Sequence, residues 1–157
     1  KWEKAFPQWM ILPISALVGF NIDKVFEKIL ELLPESPPFY SKDDITDKPV
    51  RFFISEIVRE KILMNFHQEI PYSVEVEVDS YKEEAKLVKI RCNIHVARNS
   101  QKGILIGHQG KALKKIGMEA RKDIETFIEK KVFLELYVKV SKNWREDEMQ
   151  LKRFGYR

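Results

Sequence analysis

Ile104-Leu-Ile-Gly-His-Gln-Gly-Lys-Ala-Leu-Lys-Lys-Ile116 is the stretch on which the reading of this chain turns. Gly107 and Gly110 bracket two polar residues between apolar-periodic segments, which predicts a short helix at about 100–106, a tight turn, and a long helix over 111–130. With no Cβ at either end of the turn, a sugar-phosphate backbone can approach the main chain closely. The second helix begins at the turn, so its unpaired N–H groups and the positive end of its dipole face whatever sits there. From Arg98 through Met118 there are five basic residues, Arg98, Lys102, Lys111, Lys114 and Lys115, and no acidic one. In a chain with 24 acidic residues, such a run is a local electropositive field.

Working outward, Val74, Val76 and Val78 alternate with Glu75, Glu77 and Asp79, and Val88, Ile90, Cys92, Ile94 and Val96 alternate with Lys89, Arg91, Asn93 and His95. Period two predicts strands over 73–79 and 87–97, each with one face on a core and one in water, the acidic outer face pairing with the basic one. A third alternating strand is expected over 132–140. Upstream, Thr46 or Asp47 is expected to cap a helix with Pro49 in its first turn. Its apolar stripe is Phe52, Phe53, Ile57, Val58, Ile62, Leu63 and Phe66. In the long helix Leu113, Ile116, Ala120, Ile124, Phe127 and Ile128 point inward, and Asn143 is expected to cap a terminal helix over 144–153. The order from residue 48 is α-β-β-α-turn-α-β, an α+β domain with a three-stranded sheet packed by helices.

Pro34-Glu-Ser-Pro-Pro38 cannot continue a helix or a central strand, and with the polar residues after it marks a linker at 34–47. Before it, residues 10–14 form a short apolar run typical of a buried strand. Ile22, Val25, Phe26, Ile29, Leu30 and Leu33 then follow at helical spacing. One strand and one helix cannot bury their own apolar faces, so residues 1–33 read as the last piece of a larger domain. The chain opens at Lys1 with no methionine and reads as a fragment, and its N-terminus has no signal-peptide pattern.

Composition agrees with this division. The 157 residues are 44% hydrophobic and 33% charged, enough apolar content for a core, and no uninterrupted apolar run is long enough to span a bilayer. The net charge of +4 is unevenly placed: residues 1–47 sum to −3 and residues 48–157 to +7, so a polyanionic partner belongs to the later part. A lone Cys92 excludes an internal disulfide and fits a reducing cytosol; its inward register makes it a buried thiol.

The glycine pair, its I-L-I and K-A-L-K-K-I flanks and the α-β-β-α-α-β order together resemble a type II KH domain, whose G-x-x-G loop clamps about four single-stranded nucleotides. The likeness goes further. Thr46-Asp-Lys-Pro49, Ile57-Val-Arg-Glu-Lys61, Ser100-Gln-Lys-Gly-Ile-Leu-Ile-Gly-His-Gln-Gly110, Val138-Lys-Val-Ser-Lys-Asn-Trp-Arg145 and Phe154-Gly155 are similar to the C-terminal half of the Era family of bacterial ribosome-assembly GTPases. Leu12-Pro-Ile-Ser-Ala-Leu17 and Leu33-Pro-Glu-Ser-Pro37 resemble the fifth guanine-binding motif and last helix of that family's GTPase domain.

The resemblance implies a domain over 48–157 that binds single-stranded RNA, the 3′ end of 16S rRNA, during assembly of the 30S ribosomal subunit. No DNA partner is expected. The implied RNA-binding residues are Lys102, Ile104, Ile106, Gly107, His108, Gln109, Gly110, Lys111, Lys114 and Lys115, with bases in a groove near Ile104, Ile106 and the second strand. His108 stands where the family frequently carries a permanent cation. The intact relatives use GTP and Mg2+, and Ser15, Ala16 and Leu17 would contact guanine only within a full GTPase domain. This chain has no G-x-x-x-x-G-K-S/T and no N-K-x-D, so no GTP binding, no cofactor and no catalysis are expected of it.

His67, His95, His108 and Cys92 stand at no metal-ligand or triad spacing. Trp144 and Tyr156 are expected to pack the tail. A cytoplasmic location is expected. The terminal Lys and Arg residues fit weak peripheral association with the inner face of the cell membrane, which Glu146, Asp147 and Glu148 oppose. The competing reading is a regulatory or protein-interaction domain acting on the GTPase half or on ribosomal proteins.

Overall fold

The computed structural model describes residues 1–37 and 46–156. The chain divides into two compact units, Lys1–Ile45 and Thr46–Arg157. The middle of the expected linker, residues 38–45, lies outside the described residues.

The first unit contains α1 (Trp2–Ala5) and α2 (Ile22–Leu32). Residues 10–14 are not a strand, contrary to the expectation from their apolar run; the chain makes only an isolated bridge between Ser15 and Phe20. The physical reason is that a strand exists through its neighbour's hydrogen bonds, and none lies alongside among the described residues. Helix α2 is strongly amphipathic in sequence, yet none of its residues is buried.

The second unit follows the expected order: α3 (Val50–Asn65), β1 (Val74–Glu83), β2 (Val88–Val96), α4 (Asn99–Ile106), a 3-10 turn (His108–Gly110), α5 (Lys111–Ile128), β3 (Val132–Val140) and α6 (Glu148–Arg153). The sheet order is β1-β2-β3, with β1 antiparallel and β3 parallel to β2. The central strand carries the core. Val88, Ile90, Cys92, Ile94 and Val96 are all buried, and they pack with Ile54, Val58 and Ile62 of α3 and Ile116, Ala120 and Ile124 of α5. Burial in this apolar setting pushes the Cys92 thiol up to about 12, consistent with an inert core residue.

Several local expectations are corrected. Neither Thr46 nor Asp47 caps α3: Pro49 stands at the N-cap, and the Thr46 hydroxyl instead accepts from the Lys48 N–H at 3.1 Å. The buried stripe of α3 is Ile54, Val58, Lys61 and Ile62, while Phe52 and Leu63 are exposed. Lys61 buries its stem and delivers its ammonium to Asp123 at 2.5 Å and Glu60 at 2.9 Å. In α5, Phe127 is exposed and packs its ring beside Phe53, with centroids 5.3 Å apart. Strand β1 continues to Glu83 because a bulge at Asp79 shifts the register: Val78 faces Cys92, but Ser80 faces Arg91 and Tyr81 faces Ile90. The bulge moves the inward set from even to odd positions, which hides the second half of the strand from a period-two reading.

The tail is capped by Asp147, not Asn143. The Asp147 carboxylate accepts from the Met149 and Gln150 N–H groups at 2.9 and 3.1 Å, whereas Asn143 adopts a left-handed φ of 53°. This tail covers the outer face of the sheet, which was expected to meet water. Arg153 bonds Glu77, Tyr156 donates to Glu75 at 2.7 Å, and Trp144, 4% exposed, packs edge-on to Phe154. Asn93 and His95, on the outer side of β2, are thereby buried at 1% and 7% exposure. Farther along, the expected pairing of the acidic and basic faces holds for Arg91 with Asp79 at 4.0 Å, while Arg91 also meets Glu135 of β3 and Lys89 meets Glu84 beyond the end of β1. Among the described residues no helix is long and apolar enough to cross a membrane.

His95 gives the fold a pH dependence. Its imidazole lies between Ser141 at 2.9 Å and Glu77 at 3.3 Å beneath Phe154. Burial holds it below its ordinary value of 6.5, against the opposing pull of Glu77. Below about pH 6.5 the unfolded chain therefore takes up a proton that the folded chain refuses, and stability falls with pH until the folded-state value is reached. Urea unfolding at pH 7.5 and pH 5.5 checks this: the midpoint should drop on acidification, and His95→Gln should make the drop smaller.

Candidate nucleic-acid interface

The G-x-x-G segment joins α4 to α5 through three unusual backbone states. Gly107 adopts φ 70°, ψ 178°; Gln109 adopts φ 52°, ψ 29°; and Gly110 adopts φ 74°, ψ 8°. The Gly107 state is one that essentially only glycine populates. Space is equally restrictive, since a Cβ at Gly107 would stand 2.6 Å from the Cβ of Ala112. Gly107 donates its N–H to the Gly103 carbonyl at 2.9 Å and accepts from the Gly110 N–H at 3.2 Å, so it closes one helix and holds the turn into the next. Upstream, the buried Gln101 side chain accepts from the Ala97 and Arg98 N–H groups at 3.1 and 3.0 Å, fixing where α4 leaves the sheet.

His108 and Gln109 are exposed at the tip of the turn, with Lys111 beside them at the start of α5. No acidic side chain stands in the first turn of α5 and no side chain caps it. Lys102, Lys111 and Lys114 have no ion-pair partner among the described residues, and Lys115 reaches Glu119 only at 3.8 Å. Ile104 is 47% exposed, whereas Ile106 is half-buried against the core.

Beside the turn a cleft of about 400 Å3 opens between α5 and β3. Leu113, Gly117, Met118, Phe133, Leu134 and Leu136 line it, together with Gly110, Lys114 and Arg121. Its strand wall is β3, not the second strand expected from the sequence, because β2 is the middle strand and is hydrogen-bonded on both sides. Neither Ile104 nor Ile106 is among its lining residues.

The strand wall carries polar groups as well as leucines. The Val88 N–H donates to the Lys131 carbonyl and the Ser141 N–H to the Val96 carbonyl, so odd-numbered residues of β3 direct their backbone groups toward β2. Even-numbered residues direct theirs to the free edge. Val132 uses this edge to donate to the Glu125 carboxylate at 3.0 Å, a bond that holds Glu125 below the usual carboxylate range. Leu134 and Leu136 present the same outward N–H and C=O groups within the cleft.

Gly117, Met118, Arg121 and the β3 residues are not singled out by the sequence, and Leu113 stands out there only as an inward-facing residue of the long helix. A partial signal existed, since Lys114, Met118 and Arg121 are spaced four and three apart and share a helical face. No such signal pointed to β3, because its place at the sheet edge is set by strand order. Ser15, Ala16 and Leu17 belong to the other unit, where Ser15 pairs with Phe20 and Leu17 is exposed. Among the described residues no group of three His, Cys, Asp or Glu side chains stands together to hold a metal.

Residues 69–145 match the family model for the KH domain. The second unit is a type II KH domain. The chain as a whole matches the C-terminal half of Era GTPases. It is 48% identical over 152 residues to GTPase Era of Geotalea daltonii, a match covering 96% of this chain and 51% of that protein. To the chloroplastic GTPase ERA-like protein of Arabidopsis thaliana it is 52% identical over 147 residues, 93% of this chain and 34% of that one.

Two solved structures superpose with a TM-score of 0.89 at 40% identity, each covering 99% of this chain and 53% of the other. One is Aquifex aeolicus Era bound to GDP and AlF4−; the other is Era in complex with MgGDPNP and nucleotides 1506–1542 of 16S ribosomal RNA. The chain thus spans about half the length of the bacterial relatives it matches.

The two glycines of the KH loop are expected to differ in tolerance. Gly107→Ala combines a forbidden backbone state with a Cβ clash and should cost about 1–3 kcal/mol. Gly110→Ala, whose Cβ would meet nothing within 4 Å, should cost roughly 1 kcal/mol. Paired urea titrations check the order of the two.

Proposed function

We propose that this chain is the RNA-binding part of an Era GTPase and takes up single-stranded RNA at the turn between α4 and α5. The observation that carries this is a strained two-glycine turn, free of acidic residues and set among unpaired lysines, that opens directly onto an apolar cleft. The His108 and Gln109 N–H groups at the tip of the turn and the positive end of α5, with Lys111 and Lys114, supply donors and positive charge for phosphates. Lys102 and Lys115 add to the field, and His108 and Gln109 offer side-chain contacts at the tip. The apolar floor accepts base faces, and the free β3 edge at Leu134 and Leu136 offers N–H and C=O groups to base edges.

The solved Era complex with nucleotides 1506–1542 of 16S ribosomal RNA supports 16S rRNA as the ligand, and the 30S subunit is on this reading the assembly served. The reading with a protein as main partner has no comparable observation behind it. On this view the chain acts in the cytoplasm. GTP and Mg2+ belong to the part of the relatives that precedes this chain, and Ser15, Ala16 and Leu17 would meet guanine only there. The chain alone binds no GTP.

The test is a filter-binding titration of a pyrimidine-containing oligonucleotide from the 16S 3′ end, repeated across a salt series. Affinity should fall as salt rises, with a slope of about 0.7 per phosphate neutralised. Replacing both His108 and Gln109 by aspartate should abolish binding while leaving the thermal unfolding midpoint essentially unchanged. Undiminished affinity of that variant at matched salt would remove the turn from the mechanism.

A further inference from the structure

Resting on the RNA reading of the α4–α5 turn, we propose that Arg121 is a second backbone anchor: it binds one phosphate at the end of the cleft remote from the turn. At 1.5 Å rise per residue, Arg121 lies about 15 Å along α5 from Lys111 and about 10 Å from Lys114. It shares a helical face with Lys114 and lines the same cleft. The two walls of that cleft differ in kind. The α5 wall begins at the glycine turn and carries Lys114 and Arg121, whereas the β3 wall carries leucines and free backbone groups. A single strand lying in the cleft therefore has its phosphates along α5 and its bases over the leucines.

A purely structural role for Arg121 has little support. Its natural helical partner one turn on is Glu125, which feels the Arg121 charge but makes its contacts with the Val132 N–H and with Lys131 at 3.3 Å, and none within ion-pair distance with Arg121. Arg121 is exposed and has no ion-pair partner among the described residues. A free guanidinium beside an apolar cleft, about three helical turns beyond a cationic turn, matches a second phosphate of the same strand. Such a contact would set how much single strand the site can hold, since only RNA that fills the cleft reaches Arg121.

The experiment uses the chain as it stands and a single-stranded octanucleotide from the 16S 3′ end, in which each phosphate in turn is replaced by a neutral methylphosphonate. Arg121→Gln should weaken the fully charged octamer by about tenfold or more, in line with the loss of one charge-assisted contact. It should lower the salt slope by about 0.7, and Arg121→Lys should restore that slope. At one linkage the neutral substitution should make wild type and Arg121→Gln equal, and it should differ from the linkage coupled to Lys111→Gln.

Loop-dependent binding with no linkage coupled to Arg121, or with one linkage coupled to both residues, overturns the anchor and leaves the RNA reading standing. Octamer binding indifferent to the aspartate substitutions at His108 and Gln109 overturns the RNA reading itself, and the anchor with it. Circular dichroism melts of each variant separate lost contacts from lost fold.

Discussion

The backbone at Gly107 is the constraint on which the rest of the binding region depends. Its φ of 70° with ψ near 180° lets the chain leave α4 and re-enter a helix within four residues, and the Ala112 methyl fills the space that a side chain would need. Helix α5 starts where this turn releases it, so the direction of α5 against β3 follows from the glycine. The cleft, the position of Lys114 and the reach of Arg121 all inherit that direction. A residue with a Cβ at this point would reopen the turn or push Ala112, and the start of α5 with it, aside, and either change moves the cationic wall relative to the leucine wall.

The sheet supplies the rigid side of the arrangement. Strand β2 is buried by α3 and α5 along its inner face and by the C-terminal tail at Asn93 and His95 of its outer face, and β3 runs in parallel register beside it. Because β3 is the last strand in spatial order, its outer edge stays free, and its alternating backbone groups face the cleft instead of another strand. Glu125 closes the first of these positions by accepting from Val132, leaving Leu134 and Leu136 open. At these two positions the free backbone groups of the β3 edge stand beside the cleft, where a ligand can pair with them.

Much of this was legible from residue order. Alternation in β2 and β3 and helical spacing in α5 place those elements correctly, because each buries one face and the buried face imposes its period on the sequence. The glycine pair and the acid-free run around it likewise locate the turn without coordinates. Failures occurred where a non-local partner decides the outcome. The bulge at Asp79 breaks period two in β1, residues 10–14 have strand composition with no strand to pair with, and Asp147 displaces Asn143 as the tail's cap. The outer sheet face was read as solvated from its polar residues, yet Asn93 and His95 are buried because Trp144, Phe154 and Tyr156 fold back over them.

By itself, the sequence determined the element order of the second unit, the inward face of β2, the turn and the sign of its field, since these depend on residues close together in the chain. Only the tertiary structure decided which strand walls the cleft, that the backbone groups of Leu134 and Leu136 point to its free edge, and that the helical face shared by Lys114 and Arg121 is the one that lines it. Those facts depend on strand order and on the path of α5 after Gly107. Both are set by contacts between residues far apart in sequence, and no local period records them.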